Sequence, residues 1–285
     1  MTTETTSETS NRSTRSDQRT LPPVEEREWK HALWEVSGSG VLAITINRPE
    51  RLNALNMLLL REMMQLIDHA AENQEIRAVS IRGVGTRAFC TGDDLSGMDR
   101  DPLHDSSFAV HHELVRKIRT LPKPVVALVC GWALGAGWEL ACACDLRLAA
   151  DNIEVGDHRA SRAIGMIAGT SWFFPRIVGM GRALELLMTG AHLDAEQALD
   201  WGWANRVYPL DEFDERAGEY MEMLAKLPTA TVGAFKEAIG YSLAHSLGDS
   251  LVNEAAVLAR NSQTEDVKEG HLSFVERRDP VFKGR

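Results

Sequence analysis

The sequence has no apolar stretch long enough to cross a bilayer; its longest uncharged run, Pro124 to Trp138, is too short and too rich in glycine. Basic charge is scarce. The 31 Lys and Arg residues face 41 Asp and Glu, a net charge of −10, which argues against nucleic acid or an anionic membrane as the main partner. The four cysteines, Cys90, Cys130, Cys142 and Cys144, include no C-x-x-C pair. Cys142 and Cys144 would point about 200° apart on a helix, and no matching histidines accompany them, so a zinc site is disfavoured. Reduced thiols in the cytoplasm are the reading they fit. There is no G-x-S-x-G elbow and no H-E-x-x-H, so a serine hydrolase and a zincin are both disfavoured. His104, His111 and His112 beside Glu113 read as surface residues of a helix, and no metal site is expected. Gly131, Gly135 and Gly137 miss the G-x-G-x-x-G spacing of a dinucleotide loop.

Residues 1–20 have Met1 as their only apolar member, too little to offset the entropy of ordering and not the apolar core of a secretory signal. We expect a disordered tail over 1–25 and order from about Trp29. What remains is 44% hydrophobic and 25% charged overall, enough for a substantial core.

Two strands, 31–36 and 41–47, flank the turn Ser37-Gly38-Ser39-Gly40 and predict a hairpin. Asn56 is placed to cap a helix carrying Leu59, Met63, Leu66, Ile67 and Ala70 on one face. A short strand over 78–82, a helix over 108–121 and a buried strand over 125–130 follow. The chain then turns through Gly131–Gly137 into a helix over 138–144 and a strand over 145–149. Alternation through about residue 205 predicts an α/β core over 26–205. Helices alone are expected over 206–285, at 210–226, 231–242, 250–260 and 264–277.

The segment Gly135-Ala136-Gly137-Trp138-Glu139 lies between a buried strand and a helix. Small residues let backbone approach a ligand, and unpaired N–H groups at a helix N-terminus attract negative charge. The Ala136 N–H could therefore hold an oxyanion. Glu139 would sit in the first turn, where the dipole favours its ionised form; close helix packing would account for the same glycines equally well. Ala88–Leu95, with Thr-Gly-Asp-Asp after a strand, reads on its own as a turn.

Taken together, these segments resemble the crotonase (enoyl-CoA hydratase/isomerase) superfamily. Asn47–Leu55 is similar to its opening signature, and Ala88–Leu95 to A-F-[CAS]-x-G-x-D-[LI]. Lys123–Val129 and Gly131–Asp145 resemble its K-P-V-I-A-x-V and N-G-x-A-x-G-G-G-x-E-L-A-x-x-C-D blocks. Leu187–Gly190, Ala195–Gly202 and Phe274–Lys283 match later patterns, so the likeness spans about residues 30–285.

The resemblance implies a right-handed spiral of β-β-α units, with a C-terminal helical region that builds homotrimers or homohexamers. It implies an acyl-CoA thioester as substrate, with coenzyme A arriving as part of it and no further cofactor. The thioester carbonyl would lie between the backbone N–H groups of Cys90 and Ala136. Substrate contacts would come from Arg51, Ala54, Ala88, Gly92, Asp94, Leu95, Trp132, Gly135, Arg159, Phe274 and Lys283.

Glu139 matches the first catalytic glutamate of the hydratases, the activity the resemblance puts first, ahead of isomerisation, decarboxylation, thioester hydrolysis or a silent binding protein. One position departs. The second glutamate, expected 20 residues later, falls on Arg159 within Val155-Gly156-Asp157-His158-Arg159. Either Asp157 supplies the second acid, pointing into the acyl pocket, or Glu139 acts alone. Arg159 would then be ion-paired or would meet a polar acyl group. Trp132, Trp138, Trp172, Trp201 and Trp203 would pack the core by default or wall the acyl pocket otherwise. Arg277 and Arg278 are solvated charges by default or phosphate contacts otherwise.

Overall fold

The computed structural model describes residues 23–97 and 107–285; the expected tail through residue 22, and His104, lie outside the described residues. The chain is folded earlier than expected. Val24 is buried in a 3-10 turn, and its carbonyl accepts a hydrogen bond from the Trp29 indole at 3.1 Å.

The predicted hairpin forms from β1 (Ala32–Val36) and β2 (Val41–Ile46), antiparallel with Ala32 opposite Ile46 and Val36 opposite Leu42. Asn56 caps α1 (Met57–Glu72) by accepting from the Leu59 N–H at 2.9 Å, and the five apolar residues of the predicted stripe are all buried.

Three β-β-α units follow. The first is β3 (Ala78–Gly83), β4 (Ala88–Cys90) and α2 (Ser107–Thr120). The second is β5 (Val125–Val129), β6 (Trp132–Leu134) and α3 (Ala136–Ala143). The third is β7 (Leu146–Ala150), β8 (Glu154–Gly156) and α4 (Thr170–Val178). In each unit the first strand joins one sheet and the second joins another. The large sheet runs β1-β2-β3-β5-β7 and continues, parallel except for β1. The small sheet begins β4-β6-β8, all parallel. Strands buried on both faces explain the continuous apolar run Val125–Val129.

Next come α5 (Met180–Thr189), β9 (His192–Leu193), which closes the small sheet antiparallel to β8, and α6 (Ala195–Asp200). The sheet then runs past the expected boundary at 205, because β10 (Arg206–Tyr208) pairs in parallel with β7 at the edge of the large sheet. From there the chain is helical, through α7 (Phe213–Ala225), α8 (Thr229–Ser242), α9 (Leu247–Asn261) and α10 (Glu265–Glu276).

Two cores result. One lies between α1, α2 and the sheets and takes in α3, every residue of which is buried. There Trp138 meets Phe174 edge to face, with centroids 4.4 Å apart. Each such ring removes up to roughly 4–6 kcal/mol worth of apolar surface from water. The other core lies on the opposite face of the large sheet, where Phe213, Ala217, Met221 and Leu224 of α7 cover Val41, Ala78, Val126 and Leu148. Among the described residues, no helix is long and apolar enough to cross a membrane.

Candidate functional site

The loop after β4 is braced by the 48–55 segment. Leu55 donates to the Gly92 carbonyl at 2.8 Å, and Asp94 donates back to the Leu55 carbonyl at 2.7 Å. Arg48 forks onto the Ala54 carbonyl and the Asp94 carboxylate, at 2.5 and 2.6 Å. Asn53 donates to the Ala88 carbonyl at 2.7 Å and accepts from the Arg48 N–H at 3.1 Å. To turn so tightly, Leu52 and Asn53 take φ of 50° and 58°, which costs of order 1 kcal/mol or more for each non-glycine residue. The Ser96 hydroxyl and Arg48 hold the Asp94 carboxyl well below the usual carboxylate range. Asp94, expected to touch substrate, is therefore committed to this brace, as is the Ala88 carbonyl. Ala54 is buried within it, while Arg51 and Leu95 stand exposed at its rim.

The second loop enters α3 two residues earlier than the sequence suggested. Gly135 is the residue before the helix, and its carbonyl accepts the Glu139 N–H at 3.0 Å. Helical geometry leaves the preceding N–H groups, Ala136 first among them, without helical acceptors. This end of α3 is pressed against β4. A Cβ on Gly137 would lie 2.2 Å from the Cys90 carbonyl oxygen, and one on Gly92 would lie 3.7 Å from the Ala136 nitrogen. Cys90, Gly92, Gly135 and Ala136 are thus brought together, as the family resemblance implied. The Cys90 thiol is buried, and that burial pushes it up to about 12, so it is no nucleophile.

Glu139 projects from the first turn of α3 with 0% exposure. Its Oε1 accepts three hydrogen bonds: from Arg159 Nη2 at 2.5 Å, the Ile167 N–H at 3.0 Å and the Thr170 hydroxyl at 2.5 Å. Its Oε2 is buried with no partner among the described residues. Burial raises the Glu139 carboxyl above its ordinary value and outweighs the bonds from Arg159, Thr170 and Ile167 that oppose it.

Arg159, on the 3-10 turn Arg159–Arg162, lies with its Cδ about 4.0 Å from where a Gly135 Cβ would be. It also forks onto Asp157, its Nε reaching the two carboxylate oxygens at 2.9 and 3.0 Å and its Nη2 adding a third contact. Burial disfavours the guanidinium charge, but the two carboxylates overcome this and push Arg159 above its ordinary value. Asp157 is only 3% exposed and also accepts the Arg159 N–H at 3.0 Å. Asp157 is therefore ion-paired rather than free. Its carboxylate is saturated by one arginine, which agrees with the cost of burying an unpaired charge.

Thr170 and Ile167 were not singled out by the sequence. They lie between the segments that match the family patterns, and a backbone N–H aimed at a carboxylate leaves no compositional trace. The local geometry does have a sequence basis. Gly169 takes φ of 80° ahead of α4, and a Cβ there would meet the Phe173 ring at 2.8 Å.

The remaining expected contacts are scattered. Trp132 sits in a row across the small sheet, its indole donating to Glu154 at 3.1 Å and Arg87 lying over its ring. Trp138 and Trp203 are core residues, and Trp172 lines an apolar groove of about 660 Å³ between α2, α4 and α8. Phe274 on α10 is 84% exposed. Lys283 follows α10, its backbone N–H tied to Asp266 at 2.7 Å. Arg278 is spent on Glu269, at 2.5 and 2.8 Å, and on Glu276. His111 bonds Asp93 at 2.8 Å. Among the described residues, no three His, Cys, Asp or Glu side chains gather as a metal site would require.

The sequence model of the enoyl-CoA hydratase/isomerase family matches residues 37–285. The short-chain-enoyl-CoA hydratase of Clostridium acetobutylicum is 32% identical over 90% of this chain and 100% of its own length. The 1,2-epoxyphenylacetyl-CoA isomerase of Escherichia coli is 33% identical over 86% of this chain and 96% of its own. Among solved structures, an enoyl-CoA hydratase from Bacillus anthracis superposes with a TM-score of 0.86 at 32% identity, covering 90% of this chain and 100% of that one.

Proposed function

Because the chain belongs to the enoyl-CoA hydratase/isomerase family, we propose that it binds an acyl-CoA thioester at the meeting of β4 and α3, and that Glu139 moves a proton there on one carboxylate oxygen. The thioester oxygen lies between the backbone N–H groups of Cys90 and Ala136. The helix end and the low-dielectric surroundings favour the charge an enolate places on that oxygen, each donor contributing ~2.7–4 kcal/mol in comparable sites.

Hydration by two carboxylates needs one to activate water and another to protonate the α-carbon. Here Arg159 occupies the second position and holds Asp157, so a single free oxygen, Glu139 Oε2, remains. That observation carries the reading towards double-bond isomerisation. Oε2 takes the C2 proton of a 3-enoyl-CoA, and the C–H electron pair delocalises into the carbonyl to give a dienolate. The same oxygen returns the proton to C4, leaving the double bond conjugated at C2–C3. Atoms and electrons balance without a co-reactant, and coenzyme A is the only cofactor-like group, as part of the substrate.

Hydration is the second reading, supported by the Asp157 carboxylate on the far side of the same guanidinium. It requires Arg159 to release Asp157. Product analysis separates the two. With 3-enoyl-CoA and 2-enoyl-CoA supplied in turn, isomerisation converts the first to the second. Conversion of 2-enoyl-CoA to 3-hydroxyacyl-CoA at a comparable rate would overturn the preference.

The reading includes a homotrimer or a pair of trimers in the cytoplasm. Exposed apolar side chains on the C-terminal helices, including Phe235, Ile239, Leu247, Leu251, Leu258 and Phe274, support assembly. On this reading Phe274 and Lys283 reach the nucleotide end of the ligand in the assembled protein.

A further inference from the structure

The two oxygens of Glu139 are not equivalent. Three donors converge on Oε1, and Oε2 is buried with none. One of the three, Arg159, is shared with Asp157, and one, the Ile167 N–H, is fixed backbone. The third is the Thr170 hydroxyl, 1% exposed and at the first position of α4. It is 2.5 Å from Glu139 Oε1 and 3.1 Å from the Ile167 carbonyl oxygen. One hydrogen thus faces two acceptors.

We propose that Thr170 is a positioning residue that reserves Oε2 of Glu139 as the only proton-transfer oxygen and follows the charge of that carboxylate with its own hydrogen. The inference rests on Glu139 being the proton-transfer group. When Glu139 is ionised, Oε1 is the stronger acceptor and takes the Thr170 hydrogen. When Oε2 has received the substrate proton, Oε1 is neutral and weaker, and the hydroxyl hydrogen can turn to the Ile167 carbonyl. The hydroxyl stays satisfied in both halves of the cycle, as a buried polar group must.

The carboxylate is also kept from rotating. Turning it over while Oε2 carries the proton would set an O–H, a poor acceptor, against the three donors Arg159, Ile167 N–H and Thr170. Proton pick-up and return are therefore confined to one oxygen on one face of the substrate. The charged or titratable groups facing Glu139 are Arg159 from its 3-10 turn, Asp157 behind that arginine at the end of β8, and the Cys142 thiol on its own helix. From α4 the contact is the uncharged Thr170.

Thr170→Val keeps the shape and removes the donor; Thr170→Ser keeps the donor. A hydrogen bond to a charged group is worth ~1.5–3 kcal/mol, or about one to two pKa units. In Thr170→Val the acid limb of the kcat profile for 3-enoyl-CoA should therefore move up by about one unit. On the same basis kcat should fall roughly 10-fold or more at neutral pH while KM holds within about threefold. Thr170→Ser should restore both the limb and kcat to near the parental values.

An unmoved limb in Thr170→Val, or equal impairment of Val and Ser variants, overturns the proposal and leaves Thr170 a packing residue. A second readout does not depend on turnover. In protein carrying carbon-13 at the glutamate carboxyls, the Glu139 resonance, assigned with Glu139→Gln, should titrate higher in Thr170→Val than in the parent. An unchanged midpoint refutes the inference. Absence of turnover by the parent, with the midpoint moved as expected, would instead count against the proposed reaction alone.

Discussion

On the proposed function, Glu139 is the residue on which the chemistry turns, and its burial has two opposite consequences for pH. Its folded-state carboxyl is raised above the ordinary value, chiefly by desolvation. A base must be deprotonated, so kcat/KM should decline as pH falls through that raised value, and the acid limb should lie above an ordinary glutamate at about 4.3. Stability runs the other way. The native state binds the Glu139 proton more tightly than the unfolded chain, so this group's contribution is full below the unfolded value and is lost as pH rises through the folded one. Paired pH profiles of kcat/KM and of urea unfolding check both signs, and a limb at or below an ordinary glutamate contradicts the assignment. Arg159 offsets part of the cost. Its side chain is 12% exposed and serves two carboxylates that are almost wholly buried. Arg159→Leu strands both, and breaking such a pair costs ~3–5 kcal/mol. Urea unfolding should show that loss near neutral pH and a smaller one in acid, where the carboxylates protonate. A loss under about 1 kcal/mol, well below that range, would mean that water replaces the guanidinium.

At the scale of elements, the site depends on α3 lying against β4 more closely than a side chain permits. A methyl at Gly137 would press on the Cys90 carbonyl at 2.2 Å, and since a Cβ is fixed by its own backbone and the carbonyl is backbone too, one element must move. Gly137→Ala should lose ~1–3 kcal/mol of stability by overpacking and much more of the activity, because the two proposed N–H donors lie on either side of that contact. Retention of parental kcat would show that the two donors do not act together. Half of this contact was legible in the residues: small residues before a helix permit a close approach, while the partner loop after β4 came from the family resemblance. The alternation of strand and helix, the Asn56 cap and the buried strand at Val125–Val129 were legible for the same reason, since each rests on local spacing. Other features were not. The start of α3 was placed late because Gly135 and Gly137 read as loop, whereas the φ of 53° at Gly135 makes it the residue that opens the helix. The brace at Arg48–Asp94 joins residues 46 apart, and no local pattern announces a long-range ion pair. Whether Asp157 would supply a second acid or leave Glu139 to act alone was open in the sequence, and its pairing with Arg159 depends on a side-chain position that no local pattern announces.

For the whole molecule, the division of strands between two sheets sets β4, β6 and β8 side by side, so loops distant in sequence meet at the proposed site. Periodicity gave the α/β class; the spiral itself was an expectation of the family resemblance, since which sheet a short strand joins depends on partners elsewhere in the chain. The C-terminal helices present a large apolar surface, and sedimentation at micromolar concentration should give a trimer or a multiple of it. A clean monomer would refute the assembly, and with it the placing of Phe274 and Lys283 at the nucleotide end of the ligand in the assembled protein. The central claim is that Glu139 performs the proton transfer on a thioester held between β4 and α3. It is tested most directly by comparing the parent with Glu139→Gln on 3-enoyl-CoA, following the ultraviolet absorbance of the conjugated thioester, with calorimetry of a non-reactive acyl-CoA in parallel. The account predicts that affinity is nearly unchanged while kcat falls by ~10²-fold or more. Equal turnover by the two proteins, or no binding of the analogue by the parent at millimolar concentration, would contradict it.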